Sequence, residues 1–307
     1  MSEIEIRLPD GQTLEVPEGS TVLDVSARIG KKLARAALAG RVDGQLVDLR
    51  APLRNGVALE IVTREDPAAG EVIRHSAEHV MADAVKRLFP DVQIDVGRVD
   101  HSEKFQYDFL VDQPFTPEDL EKIEKEMLEI IAQGAVFTRE VVSREEAIAL
   151  FEGMGEELKV SRIGDVPEGE DITLFRHGDF VDLCRGPHVQ RVGQIGAVKL
   201  LEAAGAYWRG DEGNPMLQRI HGTAFASKKE LSAYLTAVEE AKKRDHRRVG
   251  AALDLFHIDP LSPGSPFYHP KGTVLYNGLV DYIKSLYPKY GYHEVITPLL
   301  FRTDLFQ

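Results

Sequence analysis

The sequence has a single cysteine, Cys184, in 307 residues. One cysteine cannot form an internal disulfide framework of the kind that stabilises small secreted domains. The chain also has no apolar run of about 18 residues, the length that a membrane-spanning helix requires, and no charged-then-apolar leader follows Met1. We therefore expect a cytoplasmic protein without a membrane partner.

Positive charge is also scarce, because 37 lysine and arginine residues stand against 50 aspartate and glutamate residues and the net charge is −13. This balance argues against a generally basic nucleic-acid-binding surface, since phosphate binding requires a high local density of basic side chains. Such density does occur over residues 242–248, where basic side chains and His246 surround Asp245. That segment is either a solvated helix end or a surface that faces RNA.

The pattern of apolar residues predicts several domains of mixed helix and sheet, which is the α+β fold class. Residues 4–8 and 12–16 alternate apolar and polar side chains and predict a hairpin. A helix is expected to follow from Thr21, with short strands between residues 38 and 62. The order β-β-α-β-β indicates a small ubiquitin-like β-grasp domain at the start of the chain.

The middle of the chain predicts a second, α+β domain. Its helices are expected over residues 71–89, 116–133 and 143–154, and its strands near 93–99, 104–110 and between 172 and 198. From Ser227 to about Leu253 the pattern predicts one long amphipathic helix. A further helix is expected over residues 273–287 and a strand over residues 292–298.

Two short segments contain the residues best suited to chemistry. His75 and His79, in the segment HSAEH, stand four positions apart, which places them on one face of a helix. The segment DLCRGPH at 182–188 adds Cys184 and His188, with a Gly-Pro step between them. A histidine pair often arises by chance, and a single cysteine is more often a small buried apolar residue. The combination is more specific, because these four residue types are the ones that zinc prefers.

The same segments resemble the editing-domain motifs of bacterial threonyl-tRNA synthetases, together with the Tyr-Asp-Phe segment at 107–109. Editing domains of alanyl-tRNA synthetases share the histidine pair and the cysteine–histidine pair, and in those domains the residues hold zinc. The segments LPDG at 8–11 and GSTV at 19–22 resemble the TGS domain, and the likeness continues through residues 245–264. The resemblance to the threonyl family therefore covers essentially the whole chain.

This resemblance implies a TGS β-grasp domain (1–63), an editing domain (64–226), a linker helix (227–250) and the incomplete start of a class II catalytic domain (251–307). The last region contains motif 1, a dimer interface in this family, so we expect the full-length enzyme to be a homodimer. The 307 residues contain neither motif 2 nor motif 3, whose arginines bind ATP. We therefore expect editing activity without threonine activation from this chain. ATP, magnesium and zinc are expected cofactors of the full-length parent enzyme.

The implied reaction is post-transfer editing, which is the hydrolysis of the ester in seryl-tRNA(Thr). The parent enzyme, a threonine–tRNA ligase, would charge tRNA(Thr) with threonine. Serine lacks one methyl group of threonine, and a missing methyl changes binding by only ~1–3 kcal/mol. A separate hydrolytic site is the usual remedy, and it needs a positioned water, a group that binds the substrate ammonium and stabilisation of the developing oxyanion.

The resemblance also implies roles for individual catalytic residues. His75 and His79 would bind or activate the ribose hydroxyl, and Cys184 and His188 would line the same pocket, with no metal required. Lys159 corresponds to a lysine that helps to hold the attacking water or the oxyanion. A surface charge beside a strand is an equally good interpretation of Lys159, because no tight motif fixes its alignment.

Further residues are expected to contact the substrate. Asp182, the remaining catalytic candidate, would anchor the substrate amine, and Tyr107 would form a wall that excludes threonine. The resemblance also places Asp108 and Arg185 in the substrate-binding set.

Two alternative functions stay open at this point. A zinc-dependent aminoacyl-tRNA hydrolase of the alanyl type would use the two histidine and cysteine–histidine pairs as ligands. A non-enzymatic tRNA-binding module would leave the pocket without a catalytic role. A zinc protease is excluded, because its motif needs a glutamate directly after the first histidine, whereas Glu78 stands three positions after His75.

Overall fold

The structure, a computed structural model, describes residues 2–298 of the chain. The chain divides into two units, residues 1–233 and 234–307. Helices and strands occur together in both units, so the prediction of a multidomain α+β chain is confirmed. The domain limits derived from the sequence stay predictions.

The first unit begins with the β-grasp domain. Its elements are β1 (Glu3–Arg7), β2 (Thr13–Pro17), α1 (Val22–Ile29), α2 (Lys31–Ala36), β3 (Ala39–Val42), β4 (Gln45–Val47) and β5 (Leu59–Val62). β1 pairs antiparallel with β2, and β3 lies between β4 and β5. A parallel bridge between Arg7 and Ala58 joins β1 to the chain just before β5. The predicted order β-β-α-β-β is extended in the structure by a second helix, α2, and by a third strand after the helices.

The following domain is built on an antiparallel sheet. In spatial order its strands are β11 (Ala197–Tyr207), β12 (Met216–Phe225), β7 (Phe105–Leu110) and β6 (Gln93–Gly97). The helices α3 (Ala69–Leu88) and α4 (Pro117–Gln133) pack against this sheet. Alternation along β7 turns Phe105, Tyr107 and Phe109 toward the core. Because α3 is buried along most of its length, it is the central element of this domain.

A smaller layer of the same unit carries part of the site. Its sheet has the strand order β10 (Phe180–Leu183), β9 (Ile172–His177) and β8 (Thr138–Val142), and its helices are α5 (Arg144–Gly153) and α6 (Glu157–Gly164). Phe151, Ile163 and Leu174 form a core between these helices and the sheet. Short 3-10 turns occupy Val192–Gln194 and Trp208–Gly210.

The helix predicted from Ser227 to Leu253 is interrupted in the structure. The chain forms α7 (Lys228–Lys243) and then α8 (His246–Ala252), with Arg244 and Asp245 outside both helices. The Asp245 carboxylate accepts a hydrogen bond from the main-chain N–H of Arg247 at 2.8 Å and caps α8. The prediction of one continuous helix is therefore wrong, because an aspartate side chain favours a helix N-cap over a helix interior.

The remaining elements of the second unit are β13 (Phe256–Ile258), β14 (Pro266–Tyr268) and α9 (Pro270–Tyr290), which contains the predicted helix. The strand predicted over residues 292–298 is not formed. A strand needs a neighbour for its backbone N–H and C=O groups, and no strand among residues 2–298 pairs with this segment. Residues 299–307 of the predicted catalytic segment lie outside the described residues. Among the helices that the structure describes, none has both the length and the apolar character needed to cross a bilayer.

Candidate active site

The structure brings the two sequence pairs together into one cluster. His75 and His79 lie one turn apart on α3, and Cys184 and His188 lie in the segment that follows β10. One potential ligand atom from each of these four residues lies within 4.8 Å of the others. The helical spacing and the Gly-Pro step thus place the four side chains around one point, as their spacing indicated.

Cys184 is held at the centre of this cluster by hydrogen bonds. Its Sγ atom lies 3.2 Å from Nε2 of His75 and 3.3 Å from Nε2 of His188, and it accepts the main-chain N–H of Gly186 at 3.3 Å. The carbonyl oxygen of Pro187 lies 3.1 Å from Nδ1 of His75. A carbonyl can only accept, so Nδ1 carries the proton and Nε2 of His75 is free to accept one from the thiol. Burial raises the pKa of the Cys184 thiol well above its ordinary value, so the sulfur is protonated at neutral pH.

A buried network of Lys159, Tyr107 and Asp182 lies beside the cluster. The ammonium of Lys159 donates to Oη of Tyr107 at 2.6 Å and pairs with Asp182. The Tyr107 hydroxyl donates in turn to Asp182, whose carboxylate also accepts the main-chain N–H of Leu183 at 2.8 Å. The side chains of Lys159 and Asp182 are 1% and 0% exposed. The interpretation of Lys159 as a surface charge is therefore wrong, because α6 directs it into the protein.

Two further residues, Glu78 and His101, complete the surroundings of His75 and were not predicted from the sequence. The Glu78 carboxylate accepts the main-chain N–H groups of Arg98 at 2.9 Å and Gln106 at 3.2 Å, and it lies 3.2 Å from Nε2 of His101. The ring of His101 stacks on that of His75 with centroids 4.5 Å apart. Helical spacing could have indicated Glu78, three positions after His75. No sequence signal points to His101, which belongs to the loop between β6 and β7.

Burial fixes the protonation of the histidines in and next to the cluster. It lowers the pKa of His75 and of His101 to about 4, and it lowers the pKa values of His79 and His188 well below the ordinary value. For His79, Nδ1 lies 3.5 Å from Asp182 without a hydrogen bond between them. All four imidazoles are therefore neutral at pH 7, and each can accept a proton or bind a metal.

Burial has the opposite effect on the acid beside these rings. It raises the pKa of Glu78 to about 8, although its contacts with His75 and with two main-chain N–H groups oppose the rise. A protonated Glu78 can donate to one of its neighbours, which an ionised carboxylate cannot do. The imidazoles next to His75 and the Glu78 carboxyl are therefore mostly uncharged at neutral pH.

Two members of the cluster face a cavity of about 570 Å³, within the ~300–1,000 Å³ common for small-molecule sites. His75 and Cys184 line the cavity, and Leu46 of the β-grasp domain contributes to its wall. Tyr107 does not belong to the residues that line this cavity and is 2% exposed. The ring of Tyr107 therefore does not form the expected wall against threonine at the surface of the cavity. His79 and His188 are 2% and 0% exposed and do not belong to the residues that line the cavity.

The remaining predicted substrate-binding residues lie at different distances from the cluster. Asp108 follows Tyr107 on β7 and so points to the opposite face of the strand. Its carboxylate accepts two hydrogen bonds from Arg219 of β12, at 2.6 and 2.7 Å. Arg185 lines the cavity, but its side chain is 78% exposed and pairs with Glu170 at 2.9 Å. The structure thus brings Arg185 to the rim of the cavity and leaves Asp108 outside the cluster.

The four residues of the cluster have the chemistry of a zinc site. Ligand atoms of a tetrahedral zinc ion lie about 3.3–3.6 Å apart, given bond lengths of ~2.0–2.3 Å. The separations of 3.2 and 3.3 Å from the Cys184 sulfur to Nε2 of His75 and of His188 are close to this value. The hydrogen bond from Nδ1 of His75 to a carbonyl is also the usual support for a histidine ligand. The donor types of His75, His79, Cys184 and His188 therefore suit zinc, with all four ligand atoms within 4.8 Å of one another, and a metal-free site is compatible with the same hydrogen bonds.

Two family models match the chain in these regions. Residues 4–63 match the TGS domain, which covers β1 to β5. Residues 172–221 match the second additional domain of threonyl and alanyl tRNA synthetases, and this range contains Asp182, Cys184 and His188.

Curated relatives match along the entire chain. Threonine–tRNA ligases of Citrifermentans bemidjiense and Pelobacter propionicus are 50% and 51% identical over 308 aligned residues, which cover 100% of this chain and 48% of each relative. That of Anaeromyxobacter dehalogenans is 51% identical over 307 residues, which cover 99% of this chain and 47% of the relative. The chain belongs to the threonyl-tRNA synthetase family. It spans about half the length of these relatives and corresponds to their N-terminal part.

We predict that the free energy of unfolding of this domain falls as pH drops below about 6.5, the ordinary histidine pKa. Burial lowers the pKa values of His75, His79, His101 and His188 in the folded state, so the unfolded chain binds more protons in this range. Stability present above the unfolded pKa is then lost as pH falls. Glu78 acts in the opposite sense, because its raised pKa lowers stability as pH rises from about 4.5 toward 8, but it is one group against four.

Replacement of one buried imidazole tests this prediction. His79→Asn should reduce the slope of unfolding free energy against pH by up to about one proton, ~1.4 kcal/mol per pH unit. The measurement is urea unfolding at pH 5.5 and pH 7, followed by the fluorescence of Trp208, the single tryptophan. His257→Asn is the control, because His257 is exposed and lies in the other unit. Equal slopes for His79→Asn and the unsubstituted chain would contradict the prediction.

Proposed function

We propose that this chain hydrolyses the ester of seryl-tRNA(Thr), as the editing part of a threonine–tRNA ligase whose longer form charges tRNA(Thr) with threonine and ATP. One observation carries the proposal: a cluster of neutral imidazoles and a thiol reaches a cavity through His75 and Cys184, next to the buried network of Lys159, Tyr107 and Asp182. The family relationship supports an editing role for this domain.

The first requirement of ester hydrolysis is a group that accepts a proton. His75 lines the cavity, its imidazole is neutral, and its Nδ1 is fixed by Pro187. In the proposed reaction Nε2 of His75 accepts a proton from the attacking water or binds a ribose hydroxyl, which requires it to leave the Cys184 thiol. General base catalysis of this kind typically contributes about 10²–10⁴-fold to a rate.

The second requirement is a favourable field for the developing oxyanion. Lys159 and Asp182 are buried and occupied by each other and by Tyr107. We therefore assign them a role through this network, which orients the Tyr107 hydroxyl and the segment that starts at Asp182. Direct anchoring of the substrate amine by Asp182 would require one of its three donors to leave.

Selective hydrolysis of the serine ester is the main expected outcome. The unsubstituted chain should deacylate seryl-tRNA(Thr) about 10–200-fold faster than threonyl-tRNA(Thr), the range that exclusion of one methyl group allows. The measurement is the release of labelled amino acid from each aminoacyl-tRNA.

His75→Ala should lower the rate on the serine ester by about 10²-fold or more. His221→Ala is the control, because His221 lies on β12 of the same domain and outside the cluster. Equal rates on the two esters would exclude selective editing.

The pH dependence of this hydrolysis should follow the lowered pKa of His75. An unperturbed histidine would lose activity near pH 6.5, whereas burial lowers the pKa of His75 to about 4. The enzymatic rate, after subtraction of spontaneous hydrolysis, should therefore stay constant from pH 8 to about 5.5 and fall only below that, as the imidazole becomes protonated. Single-turnover rates with and without the protein give the enzymatic and the spontaneous rate. A decline centred near pH 6.5 would show that His75 is not buried in the active state.

The fit of the cluster to zinc favours a second candidate function, a zinc-dependent hydrolase. When bound, zinc would polarise the ester carbonyl or lower the pKa of a water, and His75, His79, Cys184 and His188 would hold it. We expect hydrolysis to persist after chelation and removal of the chelator, with metal content measured by mass spectrometry. Loss of activity that zinc alone restores would support the zinc-dependent reaction. Binding of tRNA(Thr) without any hydrolysis would support the non-enzymatic module.

A further inference from the structure

The segment that carries His188 is held by a residue of the β-grasp domain. Asp48 follows β4 and is 3% exposed. One of its carboxylate oxygens accepts the main-chain N–H of His188 at 3.0 Å, and the other accepts the main-chain N–H of Arg50 at 2.9 Å. The Arg50 guanidinium donates to the carbonyl oxygen of Gln190 at 3.3 Å. Two main-chain groups of residues 188–190 are therefore bound by residues from the other domain.

These contacts act directly on the cluster. The ring of His188 lies 3.3 Å from the Cys184 sulfur through Nε2, and it stacks on Phe137 with ring centroids 4.9 Å apart and planes 7° apart. The N–H that Asp48 binds belongs to the same residue, so a shift of this main-chain segment displaces the ring. From the opposite side Ser76 of α3 accepts the N–H of Val189 at 2.9 Å. Asp48 and α3 thus hold the segment from both sides.

The segment also has little free space in which to shift without these contacts. Gly186 has a φ of +75°, a backbone conformation that side chains rarely adopt, and a Cβ atom placed there would lie 2.8 Å from the Phe175 ring. The same position would lie 3.6 Å from Cβ of Asp48. Asp48 is therefore packed against the turn between Cys184 and His188 as well as bonded to it.

The β-grasp domain shares its interior with the domain that carries the cluster. Leu38, Ala39 and Val62 of the β-grasp domain belong to the same buried apolar cluster as α3 and the sheet that it packs against. Leu46 packs against that cluster and also lines the cavity above His75. A shared apolar core keeps Asp48 and Leu46 in place relative to α3, because separation would expose this surface to water.

We propose that the β-grasp domain completes the hydrolytic site, with Asp48 as a positioning residue for the segment 186–188 and Leu46 as part of the cavity wall. The positioning of the segment is independent of the reaction, whereas its effect on hydrolysis rests on the proposed editing function. Asp48 does not touch the substrate in this assignment. It acts through the main chain of His188 and through the turn at Gly186.

The single cysteine gives a direct measure of this positioning. Asp48→Ala should raise the rate at which iodoacetamide alkylates Cys184 by about tenfold, the factor that corresponds to the loss of one hydrogen bond, because displacement of His188 releases the Cys184 sulfur from Nε2 of that ring. Mass spectrometry of the intact full chain gives the rate. Asp24→Ala is the matched control, because Asp24 is an exposed carboxylate of the same domain that accepts the main-chain N–H of Thr21. It should leave the alkylation rate unchanged.

Hydrolysis provides the second readout, as a split between kcat and KM. Asp48→Ala should lower kcat on seryl-tRNA(Thr) by about tenfold with little change in KM, because it displaces His188 while Asp48 itself does not line the cavity. Asp48→Asn should give smaller changes in both readouts, since its one amide oxygen can accept from His188 or from Arg50. If Asp48→Ala does not fold, the alkylation rate of Cys184 in Asp48→Asn tests the inference. A rate above that of the unsubstituted chain supports the positioning role of Asp48.

Each result separates this inference from the proposed function. Faster alkylation of Cys184 in Asp48→Ala supports the positioning role of Asp48. If the unsubstituted chain at the same time hydrolyses no aminoacyl-tRNA, the proposed function is wrong. Alkylation and kcat equal to those of Asp24→Ala, in a chain that does hydrolyse seryl-tRNA(Thr), overturn the positioning and keep the function. An alkylation rate of Asp48→Asn equal to that of the unsubstituted chain likewise overturns it where Asp48→Ala does not fold.

Discussion

The geometry of the site depends on the burial of one ammonium group, that of Lys159. The Lys159 side chain is 1% exposed, and a charged group buried to this extent is stable only with an opposite charge and hydrogen bonds nearby. Asp182 supplies the opposite charge, and Tyr107 accepts a hydrogen bond. These residues come from α6, β10 and β7, so their network joins the smaller layer to the main sheet. Loss of one charge would leave the other buried and unpaired, at a typical cost of about 3–5 kcal/mol. The segment that contains Cys184 starts directly after this network.

The helices and the β-grasp order could be predicted from the sequence because their signals are local. The spacing of His75 and His79 requires only that residues 69–88 form a helix, and the apolar pattern with Pro90 predicts that helix. The β-grasp order and the helix that starts at Thr116 follow from alternation and capping chemistry in the same way. The prediction of one continuous helix through Asp245 failed because the side chain of this one residue caps a new helix, α8.

The surroundings of a site residue could not be predicted from the sequence where its contacts come from a distant part of the chain. The burial of Lys159 depends on Asp182, which is fixed only once β10 is paired with β9. His101 stacks on His75 from a loop without a recognisable motif. Asp48 contacts His188 across 140 positions and from a different domain. Such contacts become visible only when tertiary packing has been established, since no periodicity or spacing encodes them.

The protonated thiol separates two kinds of chemistry at this site. Cys184 lies between the imidazoles of His75 and His188, and burial raises its pKa, so the sulfur is uncharged at neutral pH. A thiolate would need an unbalanced cation close by, but the charge of Lys159 is already balanced by Asp182. In the proposed reaction the nucleophile is therefore water. The Cys184 thiol stays hydrogen-bonded to Nε2 of His75 until the substrate binds. A zinc ion would reverse this state, because its binding displaces the thiol proton. The same donor set thus supports proton transfer or metal binding, and the proton on one sulfur atom distinguishes the two.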